Sequence, residues 1–280
     1  MIAFPPAEQP ISFVAPPVTE VAFAVQFAAP AIDLEVLGGI ASRTKARFPR
    51  REQHPPVPPM LEEFGTITQG PQIIFQTTPE LPRTWFVTED GTRVIQAQAD
   101  RFAYNWRRTD PKQAYPRYNV LRLEFIEHGS PVIESVALAN PEAGPIDAVE
   151  LTYVNELLAP DSRPRSAHPL LSRFVRSLDP MGGEFLQEPE DTRLQARWRI
   201  NNDDGSPLGR LYASADPAFR RDEVPIYLLT MTVRLLAAGA DAEAAVSLFD
   251  AAHLWIVRGF KDLTTEEMHD IWDLETRGAS

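Results

Sequence analysis

The chain contains no cysteine. Disulfides, thiolate metal sites and thiol nucleophiles are therefore excluded together. Lysine is scarce too: Lys45, Lys112 and Lys261 are the only lysines among 27 basic residues, and the rest are arginines. No apolar run approaches the ~18 residues of a membrane-spanning helix. The first ten residues, MIAFPPAEQP, have no basic region leading into an apolar stretch. The expectation is no signal peptide, no membrane partner and a cytoplasmic location. GxSxG, a phosphate-binding glycine loop, GxGxxG and HExxH are all missing. Positive charge is also short, with a formal net charge of −12. The deficit is uneven: 13 basic against 16 acidic residues through Pro145, then 14 against 23 from Ile146 onward. Such a chain repels phosphate backbones, so no nucleic-acid partner is expected.

What is present is an ordinary globular composition. The 280 residues are 44% hydrophobic and 24% charged, enough to bury a sizeable core. The clearest local signal runs from Arg83 to Arg108, RTWFVTEDGTRVIQAQADRFAYNWRR. It reads as three strands. Asp90-Gly91 supplies the positive-φ residue of a tight hairpin, and Ala99-Asp100 closes a second turn. Phe102, Tyr104 and Trp106 alternate with Arg101, Ala103, Asn105 and Arg107, which predicts one aromatic and one polar face.

In chain order, Ile11 to Val14 lie among prolines and suit only an edge strand. Val18 to Phe27 alternates as a strand, and Asp33 opens a helix that carries Arg43, Lys45 and Arg47 in its last turns. Arg50 to Pro71 holds five prolines and reads as a long, stiff connection, followed by a strand at Gln72 to Thr77. Tyr115 to Glu127 leans to helix. Residues 129–145, with three prolines and two glycines, read as the link between two halves. Beyond it, Ala148–Leu158, Thr192–Asn201, Gly209–Ala215 and Pro225–Ala237 alternate as strands, and a short one is expected at Phe185-Leu186. A short helical pattern covers Leu170–Leu178. Asp241 caps a helix with an apolar stripe from Ala245 to Phe260, and Thr264 to Glu267 reads as a capping box opening a last short helix.

The fold expectation is α+β: two β-α-β4-α halves, residues 1–145 and 146–280, folding together as one unit. They would form a curved antiparallel sheet packed against long helices. This element order resembles the TATA-binding-protein-like and helix-grip folds, a likeness of fold and not of function. A second resemblance rests on short segments: PPVTEV from Pro16, RFP from Arg47, IQAQADRF from Ile95, NWR from Asn105, YPRY from Tyr115, Ala252-His253 and Gly259-Phe260. Together they resemble a sporadically distributed family of uncharacterised prokaryotic proteins. The resemblance implies an accessory or defence-type role and no catalytic residue.

The same residues offer several candidate sites. Gln96, Gln98, Arg101, Asn105 and Arg107 could present a hydrogen-bonding floor to a ligand or partner, although alternation alone produces a half-buried polar face. Arg43, Lys45, Arg47, Arg50 and Arg51 form the densest basic cluster, read first as a solvated helix end and second as an anion site for phosphate or carboxylate. None of the five histidines pairs at the i, i+4 spacing of a helical zinc site. Asp250 and His253 lie one turn apart, as in a buried histidine oriented by a helical carboxylate. No metal and no cofactor are expected. The leading functional expectation is a non-catalytic binding protein that engages a partner protein. The alternative is a small-molecule binder with a helix-grip-like cavity under the Asp241–Phe260 helix, and an enzyme with an unfamiliar site stands third.

Overall fold

The computed structural model describes residues 11–60, 62, 64, 81–139, 146–176 and 189–276. A short strand, β1 (Ile11–Phe13), opens them. Then come β2 (Val18–Phe27), helix α1 (Leu34–Thr44), β3 (Arg50–His54), β4 (Arg83–Val87), β5 (Arg93–Gln98), β6 (Arg101–Arg107) and α2 (Tyr118–Ala139). The rest is β7 (Ile146–Leu157), a 3-10 turn at Leu171–Arg173, β8 (Leu194–Asn201), β9 (Pro207–Phe219), β10 (Pro225–Ala240), α3 (Ala242–Leu263), α4 (Glu266–Ile271) and β11 (Leu274–Thr276). Nine strands form one sheet in the order β3-β4-β5-β6-β2-β7-β10-β9-β8, and β1 pairs with β11 separately. Every pairing is antiparallel. The protein is thus α+β, with a large antiparallel sheet packed against helices.

Alternation makes the sheet two-faced. Phe23, Val25, Phe102, Tyr104, Trp106, Leu151, Leu229 and Met231 are buried on the helix face in one apolar cluster. α2 and α3 cover that face. Helix starts are set by side chains: Asp33 accepts from the Glu35 and Val36 amides, and Asp241 from the Ala244 amide. Gly91 sits at φ 72° and Gly205 at φ 83°, the left-handed turn positions their hairpins require.

Four expectations need correction. Residues 129–139 are not a linker, because α2 continues through Gly129 and Pro131. A mid-helix proline costs about 3 kcal/mol. Val132, Ile133 and Val136 are buried at helical spacing, and at ~1.5–3 kcal/mol for each such side chain their burial outweighs that cost. Gly129 also permits close packing, since a Cβ there would meet Phe125 ring atoms at 3.0 Å and Phe102 at 3.2 Å. The stiff connection begins later than Arg50: residues 50–54 pair with β4 as an edge strand. RREQH has no apolar alternation to reveal it. The helical pattern after His168 shortens to the 3-10 turn. The capping box is not made: Thr265 precedes α4 without capping it, and its hydroxyl donates to the Arg173 carbonyl instead. The strands expected at Gln72–Thr77 and Phe185-Leu186 fall outside the described residues.

Residues 55–60 cross the outer face of the sheet. Gln98 brackets Val57, accepting from its amide at 3.0 Å and donating to its carbonyl at 2.9 Å. Gln26 does the same for Met60. Arg101 donates to the Pro58 carbonyl at 2.8 Å. Prolines 55, 56, 58 and 59 have no N–H to satisfy, so the two glutamines and one arginine meet most of what this extended segment offers. Glu62 ends the crossing with a fully buried carboxylate, paired with Arg210 and, at 3.2 Å, with Arg234.

Candidate functional site

On the helix face a cavity of about 500 Å3 lies between β7, the start of α2, the middle of α3 and the strand β1. Its walls include Phe13, Val18, Tyr115, Tyr118, Tyr153, His253, Val257 and Phe260. Local sequence explains each position. Tyr153 is on the core-facing register of β7 with Val149 and Leu151. His253, Val257 and Phe260 follow one another by steps of four and three along α3, so they share a face. Tyr115 and Tyr118 flank Arg117, which adopts φ 75°. A non-glycine residue there costs about 1 kcal/mol or more. Its guanidinium donates to the Phe13 and Val14 carbonyls, both at 2.7 Å, and so ties β1 to the cavity wall.

The polar groups form two chains. In the first, the Tyr115 and Tyr153 hydroxyls stand 3.1 Å apart, and the Tyr153 hydroxyl is 3.1 Å from His253 Nδ1. In the second, the Tyr118 hydroxyl donates to Asp250 Oδ1 at 2.7 Å, and Arg122 grips both Asp250 oxygens at 2.8 and 3.0 Å. The Tyr118 and His253 rings join the two by stacking, 3.9 Å between centroids and 2° from parallel. Burial pushes the His253 pKa down to about 4, against a small upward pull from Asp250. Burial pushes Tyr115 up to about 12 and raises Tyr118 and Tyr153 as well. At neutral pH the first chain is therefore uncharged: three side chains that each donate and accept. It can read a neutral polar group on an otherwise apolar molecule.

The expectation that Asp250 orients His253 is corrected here. Asp250 is occupied by Tyr118 and Arg122, and the histidine's hydrogen-bond partner is Tyr153 from the sheet. The tyrosines and Asn155 were missed as site residues. Asn155 carried a readable signal, a polar residue on the core-facing register of β7; it is 2% exposed and donates to the Leu229 carbonyl. Several segments that carry the family resemblance supply cavity walls: Pro16 and Val18, then Tyr115, Arg117 and Tyr118, and His253 and Phe260.

The five residues expected as a polar floor all lie on the outer face. Gln96, Gln98, Arg101 and Asn105 line one cavity of about 200 Å3 together with Ala22, Arg83 and Glu150. Gln96 donates to Asn105 Oδ1 and Asn105 donates to Glu20, both at 3.0 Å. Arg107 is separate: its Nε donates to the Gly91 carbonyl at 2.9 Å and braces the hairpin. In the basic cluster, Arg47 is held by Glu124 and Glu127, and Arg51 lies over the Phe86 ring. Among the described residues no group of three metal-ligating side chains gathers, and no helix is long and apolar enough to cross a membrane.

No protein-family model matches the chain, and no curated protein matches it. The resemblance described above rests on its own segments alone.

Proposed function

We propose that the protein is a non-catalytic binder of a small, mainly apolar molecule with one neutral polar group, held beneath α3. The observation that carries this reading is the cavity of about 500 Å3 with the Tyr115–Tyr153–His253 chain in its wall. Pockets for drug-sized ligands span ~300–1,000 Å3 and combine apolar walls with a few convergent polar groups. A charged head group would be disfavoured beside this chain, because burial already keeps His253 unprotonated.

The same reading takes the two halves as structural counterparts. In its support, β2 and β7 pair at the centre of the sheet, β6-β5-β4 run outward on one side and β10-β9-β8 on the other, and α2 follows β6 as α3 follows β10. The ligand would then sit where the second long helix grips the sheet.

The test is to purify the protein from its native host, denature it and identify released small molecules by mass spectrometry. Val257→Trp, which fills the cavity, is carried alongside. A compound released at near-stoichiometric yield by the wild type and lost from a folded Val257→Trp protein supports the reading. Equal release from both overturns it.

A partner protein is the second reading, favoured by β8. Among the described residues this strand ends the sheet, and Arg197, Trp198 and Arg199 on it are exposed. An open edge is a template for strand addition by another chain. In an antiparallel ladder the N–H groups of successive residues point alternately to the neighbouring strand and away from it, so proline is placed at Arg197 and at Trp198 in separate variants; loss of a stoichiometric co-purifying protein in a folded variant would support partner binding at this edge.

A further inference from the structure

The outer-face cavity has a chemistry of its own. Five buried side-chain polar atoms lack a hydrogen-bond partner among the described residues, and three belong to this corner: Arg83 Nε, Trp85 Nε1 and Arg101 Nε. All three are N–H donors. Trp85 stands directly opposite Gln96 across the β4–β5 pair, and the Arg83 guanidinium lies 5.3 Å from its ring centroid. Arg83, Gln96 and Arg101 all line the cavity.

The carboxylates nearby each have a donor of their own. Glu150 lines the cavity, and Arg234 donates twice to its Oε2, through Nε at 3.0 Å and Nη2 at 2.5 Å. Glu20 accepts from Asn105, and Asp100 from Gln98 at 2.6 Å. Arg101 spends one nitrogen on Gln26 and Pro58, and its Nε remains unmet. Burial pulls the pKa of both Arg83 and Arg101 down; at Arg101 the Glu150 and Asp100 carboxylates pull it back up, and the Arg234 and Arg83 charges push it further down. Orphaned donors on buried cations cost about 1–3 kcal/mol each, more where the group is charged. A neutral ligand would satisfy the donors and leave the charge.

We propose that this cavity binds one compact oxyanion, tetrahedral or carboxylate, between the Arg83 and Arg101 guanidinium groups. The planar guanidinium fork matches paired oxygens of such ions. The volume of about 200 Å3 falls below the ~300–1,000 Å3 of drug-sized pockets, so the ligand is a single small ion and not a nucleotide. The site lies under the 55–60 crossing, with Val57 in its wall, so an anion there also fastens that segment to the sheet. Ligand binding on the helix face is independent of it.

The experiment is calorimetric titration of the full chain, exchanged into chloride buffer, with sodium phosphate, sulfate and acetate at matched ionic strength. Arg83→Gln is the test variant, because no hydrogen bond joins the Arg83 side chain to the described residues and its loss leaves the crossing's own bonds in place. Circular dichroism melts confirm that it is folded. One-to-one saturable binding of at least one of the three anions is expected, weakened roughly tenfold or more by Arg83→Gln, the worth of one charge-assisted pair. Phosphate and sulfate without acetate would assign a tetrahedral ion; acetate would assign a carboxylate. No saturable binding of any of the three, or unchanged affinity in folded Arg83→Gln, overturns the proposal.

Discussion

The two faces of the sheet solve one problem in opposite ways. Each strand sends alternate residues to either side; helices cover one side, and residues 55–60 cover the other where they cross β5, β6 and β2. On the helix face the cover is apolar: Phe102, Tyr104 and Trp106 are at most 1% exposed beneath α2. On the outer face the cover is a proline-rich segment held by side-chain amides and guanidinium groups. Gln26, Gln98 and Asn105 are no more than 6% exposed there, although they are polar. A polar face of a strand is therefore not a solvated face. It is buried at little cost where a piece of backbone arrives with the complementary donors and acceptors.

The largest expected effect tests whether the faces belong to one body. β2 and β7 pair along most of their length, so the seam between residues 1–145 and 146–280 runs through the centre of the sheet. Cutting there exposes two long edges and opens one apolar cluster. The halves, expressed separately, are expected to be insoluble or unfolded, and the whole chain to melt in one transition. Two soluble fragments with sharp independent melts would show two domains.

Next comes a direct comparison of faces on one strand. Trp106→Ala should cost about 3–5 kcal/mol in a denaturant melt, the range for deleting a large buried aromatic. Arg107→Ala, its neighbour on the outer face, loses one bond to the Gly91 carbonyl and should cost about 0.5–1.5 kcal/mol. Equal losses would mean that the helix face is not the dominant source of stability.

A smaller effect separates amide-held cover from apolar cover. Gln98→Ala removes both bonds to Val57 and should cost about 1–3 kcal/mol if the orphaned groups stay buried. The loss should appear locally, as faster hydrogen exchange at the Val57 amide and earlier proteolysis within 55–60. Uniform acceleration across the sheet would argue that the crossing is part of the core.

The last effect vanishes at neutral pH. His253 has its folded pKa lowered from 6.5 to about 4. The unfolded chain therefore binds more protons than the folded one between those values. Its contribution is complete above pH 6.5 and is lost as pH falls toward 4. His253→Phe keeps a ring under Tyr118 and removes this titration, so its stability should fall less steeply than the wild type over that window. His128 and His269 are also lowered, which makes the difference between the two curves, and not either slope alone, the quantity to measure. Parallel curves would place His253 in contact with water.

How much of this was legible depends on the range of the forces involved. Val18–Phe27 and the Asp241-capped helix could be read because period, cap and turn are local, and each residue's role follows from neighbours within four positions. The aromatic face of Phe102, Tyr104 and Trp106 was legible for the same reason. β3 was not, because an edge strand of charged residues looks like a loop until its partner is known. α2 past Pro131 was not, because the energy that offsets a proline comes from a sheet the local sequence does not contain. The cavity was the least legible of all. Tyr115 meets Tyr153 across 38 residues, Tyr153 meets His253 across 100, and Tyr118 meets Asp250 across 132. By itself the sequence determined most of the strands, helices and turns, and which side of each alternating strand is apolar. Only the tertiary structure decided what covers the polar side and which tyrosines stand beside the histidine, because hydrogen bonds and desolvation act over a few ångströms of space and take no account of distance along the chain.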